Sequence, residues 1–358
     1  MAYIVVGCIL GPHGLRLVSD PNLLSEVAEI GIIFLLFLAG LDLQPNKLKN
    51  MLGASLLTVV GTTVTFMLAG YFLMRAFNFT VTESLVTGIA VTFSSTIIGI
   101  KLLPTTVLHH RHIGEIVISL LLIQDFIAIL ALIILSAYGD SLAATLTSLG
   151  TVLVALPLLV AGTFLGVRYL VLPLIEHFDA FHEFIFLLAL GWCLGVASAA
   201  QFMGLSFQIG AFVAGVGLAI SPIAQYIAES LRPLRDFFLV LFFFSIGAEL
   251  DPALLLDVFF PTLGLALLLV AIKPWMFSLL LTWQGEVKAT AWEVGYRLGQ
   301  ASEFSLLVSY VAVGASLLSK EAAHVIQGAT VITLVLSSYA VIFRYPSPIA
   351  VSAKLRRD

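Results

Sequence analysis

The residue whose type and surroundings most clearly suggest chemistry is Asp125, in the middle of the apolar stretch 113–138. The stretch is long enough to cross a lipid bilayer, which takes about 20 residues. Beyond Glu115 near its start, Asp125 is the only charged residue in it. A carboxylate at the bilayer midplane is costly unless it is paired, hydrated or protonated, and such acids mark ion or proton pathways. A structural hydrogen bond to a neighbouring helix is the alternative. We expect Asp125 to bind a cation or a proton, one at a time.

Two other apolar stretches carry polar clusters halfway along. The first cluster comprises Thr92, Ser94, Ser95 and Thr96, and the second comprises Gln300, Ser302 and Glu303. Hydroxyl and amide groups can satisfy the backbone groups that are freed where a membrane helix breaks. Packing of small residues between helices is the other interpretation. The two clusters predict a pair of interrupted helices that cross near the midplane, where secondary transporters bind their substrates.

Three further polar residues in apolar stretches bear on this site. Lys273 needs a partner, for which Asp125 or Glu303 is the candidate, although its ammonium could instead extend to the membrane surface. Arg297 could neutralise a broken helix and play a structural part. Gln124 adds a neutral amide beside Asp125, so the predicted site has one carboxylate charge. One charge favours the exchange of one monovalent cation for one proton.

The composition restricts the class of protein. The chain has 358 residues, of which 60% are hydrophobic and 11% charged, with a mean hydropathy of +1.09. Soluble domains have about 25% charged residues, so we expect an all-α integral membrane protein. Cys8 and Cys193 both lie in apolar runs and have no metal-binding spacing. Motifs for nucleotide hydrolysis or dinucleotide binding are absent from the sequence. We therefore expect no enzymatic activity, no cofactor and no nucleic-acid partner.

Hydropathy divides the chain into twelve apolar segments. They lie at about 1–10, 27–43, 51–76, 82–103, 113–138, 144–167, 182–200, 204–220, 235–249, 254–282, 288–314 and 320–343, and the first is only half a span. If the segments alternate across the membrane, one side collects 12 Lys and Arg residues and the other 3. Because positive charge is enriched on the cytoplasmic side, this asymmetry places the C-terminus in the cytoplasm.

The chain also contains a weak internal repeat. Residues 2–12 resemble 212–222, and residues 34–48 resemble 241–255, with glycines and prolines at matching places. The offset of the second pair, 207 residues, also superposes Thr96 on Glu303. The matched segments are seven spans apart, an odd number, so the copies would be inverted across the membrane, as in many secondary transporters. We expect repeats at about 1–138 and 204–343, joined by linking segments at 144–200, in one membrane domain.

Two groups of charged residues lie in the predicted cytoplasmic loops and tail. The loop with His109, His110, Arg111 and His112 could bind metal or sense pH, but a solvated positive loop is the simpler interpretation. Lys354, Arg356 and Arg357 form a positive tail that fits the cytoplasmic placement.

Seven stretches together resemble a known family. They are GCILGPHGLRLVSD (7–20), AEIGIIFLLFLAGLDL (28–43), FSSTIIGIKLL (93–103), LLIQDFIAI (121–129), GAFVAGVGLA (210–219), LFFFSIGAELD (241–251) and LGQASEFSLLV (298–308). In this order they resemble the monovalent cation:proton antiporter-2 family, and within it the Kef-type potassium/proton antiporters.

The resemblance implies a sodium/proton-antiporter-like fold of about thirteen helices, with two inverted repeats that form a core and a dimerisation domain. It implies that the first helix and half of the second are absent from this chain. It places the ion-binding acid at Asp125, preceded by Gln124, and the intramembrane lysine at Lys273. A Gln-Asp pair is similar to the potassium-handling branch. Many relatives continue into a cytoplasmic nucleotide-binding domain, and this chain ends at Asp358. Arg297 is outside the pattern.

These observations lead us to expect a homodimeric antiporter in a bacterial inner membrane that exchanges K+, or alternatively Na+, for protons. Asp125 would be the ion ligand, together with the oxygens of Thr92, Ser94, Ser95, Thr96 and Gln124. A cytoplasmic regulatory domain or subunit is a further expected partner. Two other functions stay open. One is a sodium-coupled symporter of an organic anion with the same fold, and the other is a channel-like or sensory protein without coupled transport.

Overall fold

The computed structural model of the protein describes residues 2–18, 21–42, 45–103, 112–136, 142–177, 182–221 and 224–347. These residues form sixteen α-helices. They are α1 (Ala2–Leu10), α2 (Pro21–Asp42), α3 (Pro45–Ala76), α4 (Val81–Ala90), α5 (Thr96–Lys101), α6 (His112–Ser136), α7 (Leu142–Gly166), α8 (Leu172–His177), α9 (His182–Phe202), α10 (Phe207–Ala219), α11 (Ala224–Glu249), α12 (Pro252–Asp257), α13 (Phe259–Trp283), α14 (Lys288–Arg297), α15 (Glu303–Gly314) and α16 (Lys320–Arg344). A π-helical turn at Val167–Val171 joins α7 to α8.

Many of these helices are apolar enough to enter a membrane, where a helix satisfies its own backbone hydrogen bonds. Among the described residues, six stretches are also long enough to cross one: Ser55–Ala76, His112–Leu135, Leu153–Ile175, Phe184–Phe202, Phe259–Trp283 and Lys320–Arg344. Five shorter apolar helices accompany them: Ile30–Leu41, Val81–Ala90, Phe207–Ala219, Asp236–Ala248 and Glu303–Gly314. The predicted all-α membrane fold with interrupted helices is confirmed.

The chain divides into two compact units, and each is made of two stretches that are separate in the sequence. The first unit falls within Leu48–Leu132 and Asp251–Asp358. It therefore contains most of α3, all of α4 and α5, most of α6, and α12 to α16. The second unit falls within Ala2–Lys47 and Ile133–Leu250. It contains α1, α2 and α7 to α11.

The second unit is packed through glycines that bring helix backbones into direct contact. A Cβ atom at Gly7 of α1 would lie 2.1 Å from the carbonyl oxygen of Phe244 in α11, and one at Gly247 would lie 2.0 Å from the carbonyl of Ile4. The α2–α10 pair has the same arrangement. Small residues of this kind allow membrane helices to approach closely. The positions of these glycines therefore determine which helices of the unit pack in pairs.

In α2 and α10, a Cβ atom at Gly40 would lie 2.4 Å from the carbonyl oxygen of Phe212, and one at Gly215 would lie 2.0 Å from that of Phe37. Each of the two helix pairs therefore has one glycine on either side of its closest approach.

The first unit surrounds a hydrophobic core built from α3, α6, α13 and α14. Its fully buried members include Phe66, Leu120 and Phe277, and the rings of Phe66 and Phe277 meet edge to face with centroids 5.7 Å apart. This core fixes α6 and α13, which carry Asp125 and Lys273, against the two interrupted helices.

Two helices begin earlier than the apolar segments predicted for them. The short segment predicted at 235–249 is the second half of α11, a 26-residue helix that begins at Ala224. Its first half was missed because it carries Glu229 and Arg232, which lower the local hydropathy. The segment predicted at 27–43 likewise begins earlier, at Pro21. Residues 109–111 of the histidine loop and the tail after residue 347 lie outside the described residues.

Candidate functional site

The first interruption separates α4 from α5 at residues 91–95. Thr92 donates its hydroxyl to the carbonyl of Ile89 (2.8 Å) and so helps to end α4. Ser95 Oγ accepts a hydrogen bond from the backbone N–H of Ile98 (3.2 Å), which satisfies a free donor at the start of α5. Two of the predicted hydroxyl groups therefore serve as helix caps at the break.

The second interruption separates α14 from α15 at residues 298–302. Ser302 is the N-cap of α15, where its hydroxyl accepts a hydrogen bond from the N–H of Phe304 (3.1 Å) and Ser305 completes a capping box. The N–H of Ala301 donates to Thr333 Oγ1 of α16 (3.0 Å). Glu303 is the first residue of α15, just as Thr96 is the first residue of α5.

Direct hydrogen bonds join the two interruptions. Ser94 donates its hydroxyl to the carbonyl of Leu298 (2.8 Å), and the side-chain amide of Gln300 donates to the carbonyl of Ser95 (3.4 Å). Ser94, Ser95 and Gln300 are all buried. Backbone groups freed by one break are thus satisfied by side chains from the other, which explains why the polar residues occur as two matching clusters.

Lys273 of α13 lies against both interruptions and has none of its surface exposed. Its ammonium donates to the carbonyl of Phe93 in the first break (2.6 Å) and to that of Gln300 in the second (3.0 Å). Lys273 Nζ also lies 5.3 Å from the centroid of the Phe66 ring, within reach of a cation–π interaction. The Lys273 side chain therefore links two backbone carbonyl groups, one from each break.

Asp125 of α6 lies beside the first interruption and is 8% exposed. The hydroxyl of Thr96 is shared between its two carboxylate oxygens, at 3.2 and 3.0 Å. An O–H group can donate to an ionised carboxylate, and its oxygen can also coordinate a cation. This pairing is suited to a site whose occupant changes.

The residue before Asp125 fixes α6 to the same break. Gln124 is 1% exposed, and its Oε1 accepts a hydrogen bond from the backbone N–H of Ser94 (3.1 Å). This contact orients the side-chain amide, and Gln124 Nε2 has no hydrogen-bond partner in the described part of the chain. Gln124 therefore positions the first break relative to Asp125.

Arg297, the last residue of α14, is 1% exposed and is held by three groups. It forms an ion pair with Glu293 (2.7 Å) and donates to the carbonyls of Leu102, after α5, and Pro346, after α16 (2.8 Å each). These contacts connect the ends of three helices within the first unit, as the structural interpretation of Arg297 predicts.

The predicted site residues thus lie together in the first unit, where they have different contacts. Thr96 is hydrogen-bonded directly to Asp125. The side chains that join the two breaks and α6 to one another are Ser94, Gln124 and Gln300. The residues that cap helix ends are Thr92, Ser95 and Ser302. Ser302 Oγ also lies 3.4 Å from a carboxylate oxygen of Glu303.

The sequence did not reveal three contacts at this site. The hydrogen-bond partners of Lys273 are backbone carbonyls, where the sequence suggested a carboxylate. Phe66 and Ser337 are also in contact with the crossing, since Ser337 Oγ lies 2.9 Å from Gln300 Oε1. A single serine in an apolar helix does not by itself predict a contact with the crossing. The regular spacing of polar residues along α16 could have indicated that Ser337 belongs to it.

Comparison with known proteins assigns the family. The family model for the transmembrane domain of sodium/hydrogen exchangers matches residues 1–343. This chain belongs to the sodium/hydrogen exchanger family. The match runs through both compact units, and it includes Asp125 and the two interruptions.

Two curated relatives are similar to this exchanger-family chain over most of its length. The glutathione-regulated potassium-efflux system protein KefC of Klebsiella pneumoniae (strain 342) is 33% identical over 336 residues, which cover 90% of this chain and 52% of KefC. The putative K(+) efflux antiporter KefB of Alkalimonas amylolytica is 30% identical over 345 residues, covering 95% and 52%. The chain thus spans about half the length of these relatives.

The fold is also similar to a solved structure. The sodium proton antiporter MjNhaP1 from Methanocaldococcus jannaschii, determined at pH 8, superposes with a TM-score of 0.68 at 17% sequence identity. The superposition covers 95% of this chain and 89% of MjNhaP1. The exchanger-family chain therefore has an antiporter-like fold, in agreement with the sequence-based prediction.

Proposed function

We propose that this protein exchanges a monovalent cation for a proton across a membrane, with Asp125 as the group that binds each in turn. The observation that carries the proposal is the position of the Asp125 carboxylate. It lies beside the first of two helix breaks, which are joined to each other by a hydrogen bond, and it accepts a hydrogen bond from Thr96. Membership of the sodium/hydrogen exchanger family supports the same function.

The cation site would be made of oxygen atoms, which suit hard monovalent ions. The Asp125 carboxylate and Thr96 Oγ1 are its first members, and backbone carbonyls of the first break complete the coordination. A single carboxylate charge favours electroneutral exchange of one cation for one proton. K+ is the favoured cation because KefC and KefB are named for potassium efflux. Na+ is the alternative.

The setting of this exchange is also a proposal. The excess of Lys and Arg in alternate loops supports a cytoplasmic C-terminus. The relatives KefC and KefB favour a bacterial inner membrane as its location. A homodimer and a cytoplasmic regulatory domain or subunit fit the expectations drawn from the sequence. A core bundle that carries Asp125 would move against a dimer scaffold, so that access to Asp125 alternates between the two sides of the membrane.

Inverted repeats at about 1–138 and 204–343 form part of the same proposal. Two observations support them. Thr96 and Glu303, which the repeat superposes, are each the first residue after a helix break. The glycine contact between α1 and α11 also has its counterpart between α2 and α10, as an exchange of the two repeats requires.

The test is cation-driven proton movement in proteoliposomes with a pH-sensitive dye. Wild-type protein is expected to move protons when K+ or Na+ is added without any organic substrate. Asp125→Asn removes the charge at almost constant size and should abolish exchange. Asp257→Asn, at an exposed carboxylate of α12 in the same unit, is the matched control and should exchange normally.

Exchange at the wild-type rate by Asp125→Asn would refute the role of Asp125. Proton movement that requires an added organic anion would favour the sodium-coupled symporter instead. Cation flux that is independent of the pH gradient would favour a channel. The relative rates with K+ and Na+ would decide the transported ion.

A further inference from the structure

A row of buried polar side chains follows α16, and the exchange mechanism above makes no use of it. Its members are His324, Gln327, Thr330, Thr333 and Ser337. Each is three or four residues from the next, so neighbouring side chains adjoin on the helix surface. At 1.5 Å per residue the row extends about 20 Å along the axis, compared with about 30 Å for the hydrocarbon core of a bilayer.

The two ends of the row are firmly bonded. His324 Nε2 accepts a hydrogen bond from the N–H of Asp251 (3.0 Å), and Nδ1 lies 2.6 Å from the carbonyl of Lys320. Because Nε2 accepts, Nδ1 is the ring nitrogen that donates to the Lys320 carbonyl. At the other end, Thr333 accepts from Ala301 of the second break, and Ser337 contacts Gln300. The row thus leads from the start of α16 to the crossing.

The middle of the row has unsatisfied oxygen atoms. Gln327 Oε1 and Thr330 Oγ1 are buried and have no hydrogen-bond partner in the described part of the chain. The same is true of Thr87 Oγ1 in α4 and Ser309 Oγ in α15. The helices α4, α15 and α16 all pack against one another. Four unsatisfied oxygens therefore come from three mutually packed helices.

Two hydrogen bonds fix the register of these three helices. The N–H of Ser319 donates to Glu83 Oε1 (3.3 Å), which places the start of α4 level with the start of α16. The bond between Ala301 and Thr333 sets the antiparallel register of α15 and α16. With equal rise per residue, Thr87 and Ser309 then lie at about the level of the first two turns of α16. On this register the four oxygens lie at successive levels between the start of α16 and the crossing.

Buried oxygen atoms without partners are costly, and proteins satisfy them with internal water that makes about three hydrogen bonds per molecule. We propose that water occupies the space between α4, α15 and α16 and gives protons a route from the start of α16 to the second break. Gln327 and Thr330 act as positioning residues that hold this water. Each water accepts one proton and releases another, so the chain of water is unchanged after transfer.

The route ends close to the carboxylate. Gln300, at the second break, donates to the carbonyl of Ser95, and the next residue, Thr96, bonds to Asp125. This inference rests on the proposed exchange, because it supplies the path by which the proton partner of the cation reaches the crossing.

The test compares exchange rates of variants that remove these oxygens at similar volume. The double variant Gln327→Met/Thr330→Val should lower the maximal exchange rate at least tenfold. It should leave the cation concentration for half-maximal rate within twofold of wild type, since the Asp125 site is untouched. Thr163→Val removes a buried unsatisfied hydroxyl from α7 in the other unit and should change neither value. A double variant that exchanges at the wild-type rate overturns the inference.

A second pair of variants separates a missing oxygen from poor folding. Thr330→Ser keeps the hydroxyl and should exchange like wild type, whereas Thr330→Val should be slow. Equal loss in both variants would contradict a role for the oxygen.

Hydroxyl-radical footprinting of the detergent-solubilised protein detects the water without any transport. Buried side chains of α15 and α16 beside the row should be oxidised several-fold more than buried side chains of α10, and this labelling should fall in the double variant. Absence of labelling in wild type overturns the inference. Wild-type protein that is labelled but exchanges no cation contradicts the proposed function alone and leaves the water site standing.

Discussion

At the scale of single residues, two buried ionisable side chains at the crossing have different contacts. Lys273 donates to carbonyls of both breaks and has no exposed surface, so its amino group is committed to holding the crossing together. Asp125 contacts a hydroxyl that can either donate to the carboxylate or offer its oxygen to a cation. Lys273 thus fixes the two breaks, and the contact of Asp125 with Thr96 suits a site that exchanges its occupant.

A substitution at Thr96 tests this division of roles. Thr96→Val keeps the shape but removes the oxygen that bonds to Asp125. A hydrogen bond to a charged group contributes about 1.5–3 kcal/mol, which corresponds to an increase on the order of tenfold or more in the cation concentration for half-maximal exchange. This concentration is measured by following the exchange rate in proteoliposomes as the cation concentration is raised.

Thr96→Ser is the control for this prediction, because it retains the hydroxyl and should stay close to wild type. If Thr96→Val showed a half-maximal concentration within twofold of wild type, Thr96 would not take part in cation binding.

At the scale of elements, the sequence was informative where polar residues interrupt apolar stretches. The clusters at 92–96 and 300–303 predicted both breaks, because apolar helices have little other use for hydroxyl and amide groups. The start of α11 and the partners of Lys273 were not predictable. The former has a polar composition, and the latter are backbone carbonyls, whose positions depend on how separate helices pack.

The glycines of the second unit predict opposite effects of two Gly→Ala substitutions on the melting temperature. Gly215→Ala would place a Cβ atom 2.0 Å from the carbonyl oxygen of Phe37, so α2 and α10 would have to move apart. Overpacking of this kind costs about 1–3 kcal/mol, and the melting temperature in detergent should fall. A Cβ atom at Gly162 of α7 would have no other atom within 4 Å. Gly162→Ala should therefore leave the melting temperature unchanged or raise it, since alanine favours helices by about 0.5–1 kcal/mol.

Thermal unfolding followed by intrinsic fluorescence can compare the two variants. An equal effect of both would mean that the close approach of α2 and α10 is not required for stability.

At the scale of the whole molecule, contacts between helix ends agree with the alternation read from the sequence. His112, at the start of α6, lies 2.8 Å from Glu286, between α13 and α14. Ser319, just before α16, bonds to Glu83, at the start of α4. Both pairs join ends that the alternating topology assigns to one side, the cytoplasmic side for the first pair and the opposite side for the second.

Labelling of single cysteines tests the orientation of these ends. In a background with Cys8→Ser and Cys193→Ala, Lys288→Cys should react with a membrane-impermeant maleimide only in everted vesicles. Arg75→Cys and Lys320→Cys should react only in intact cells. All three positions are exposed, so access depends on the side of the membrane. Because Lys320 lies where the polar row of α16 begins, its labelling from outside would also place the entrance of the proposed proton route there. Labelling of Lys288→Cys in intact cells would reverse the orientation inferred from the charge asymmetry.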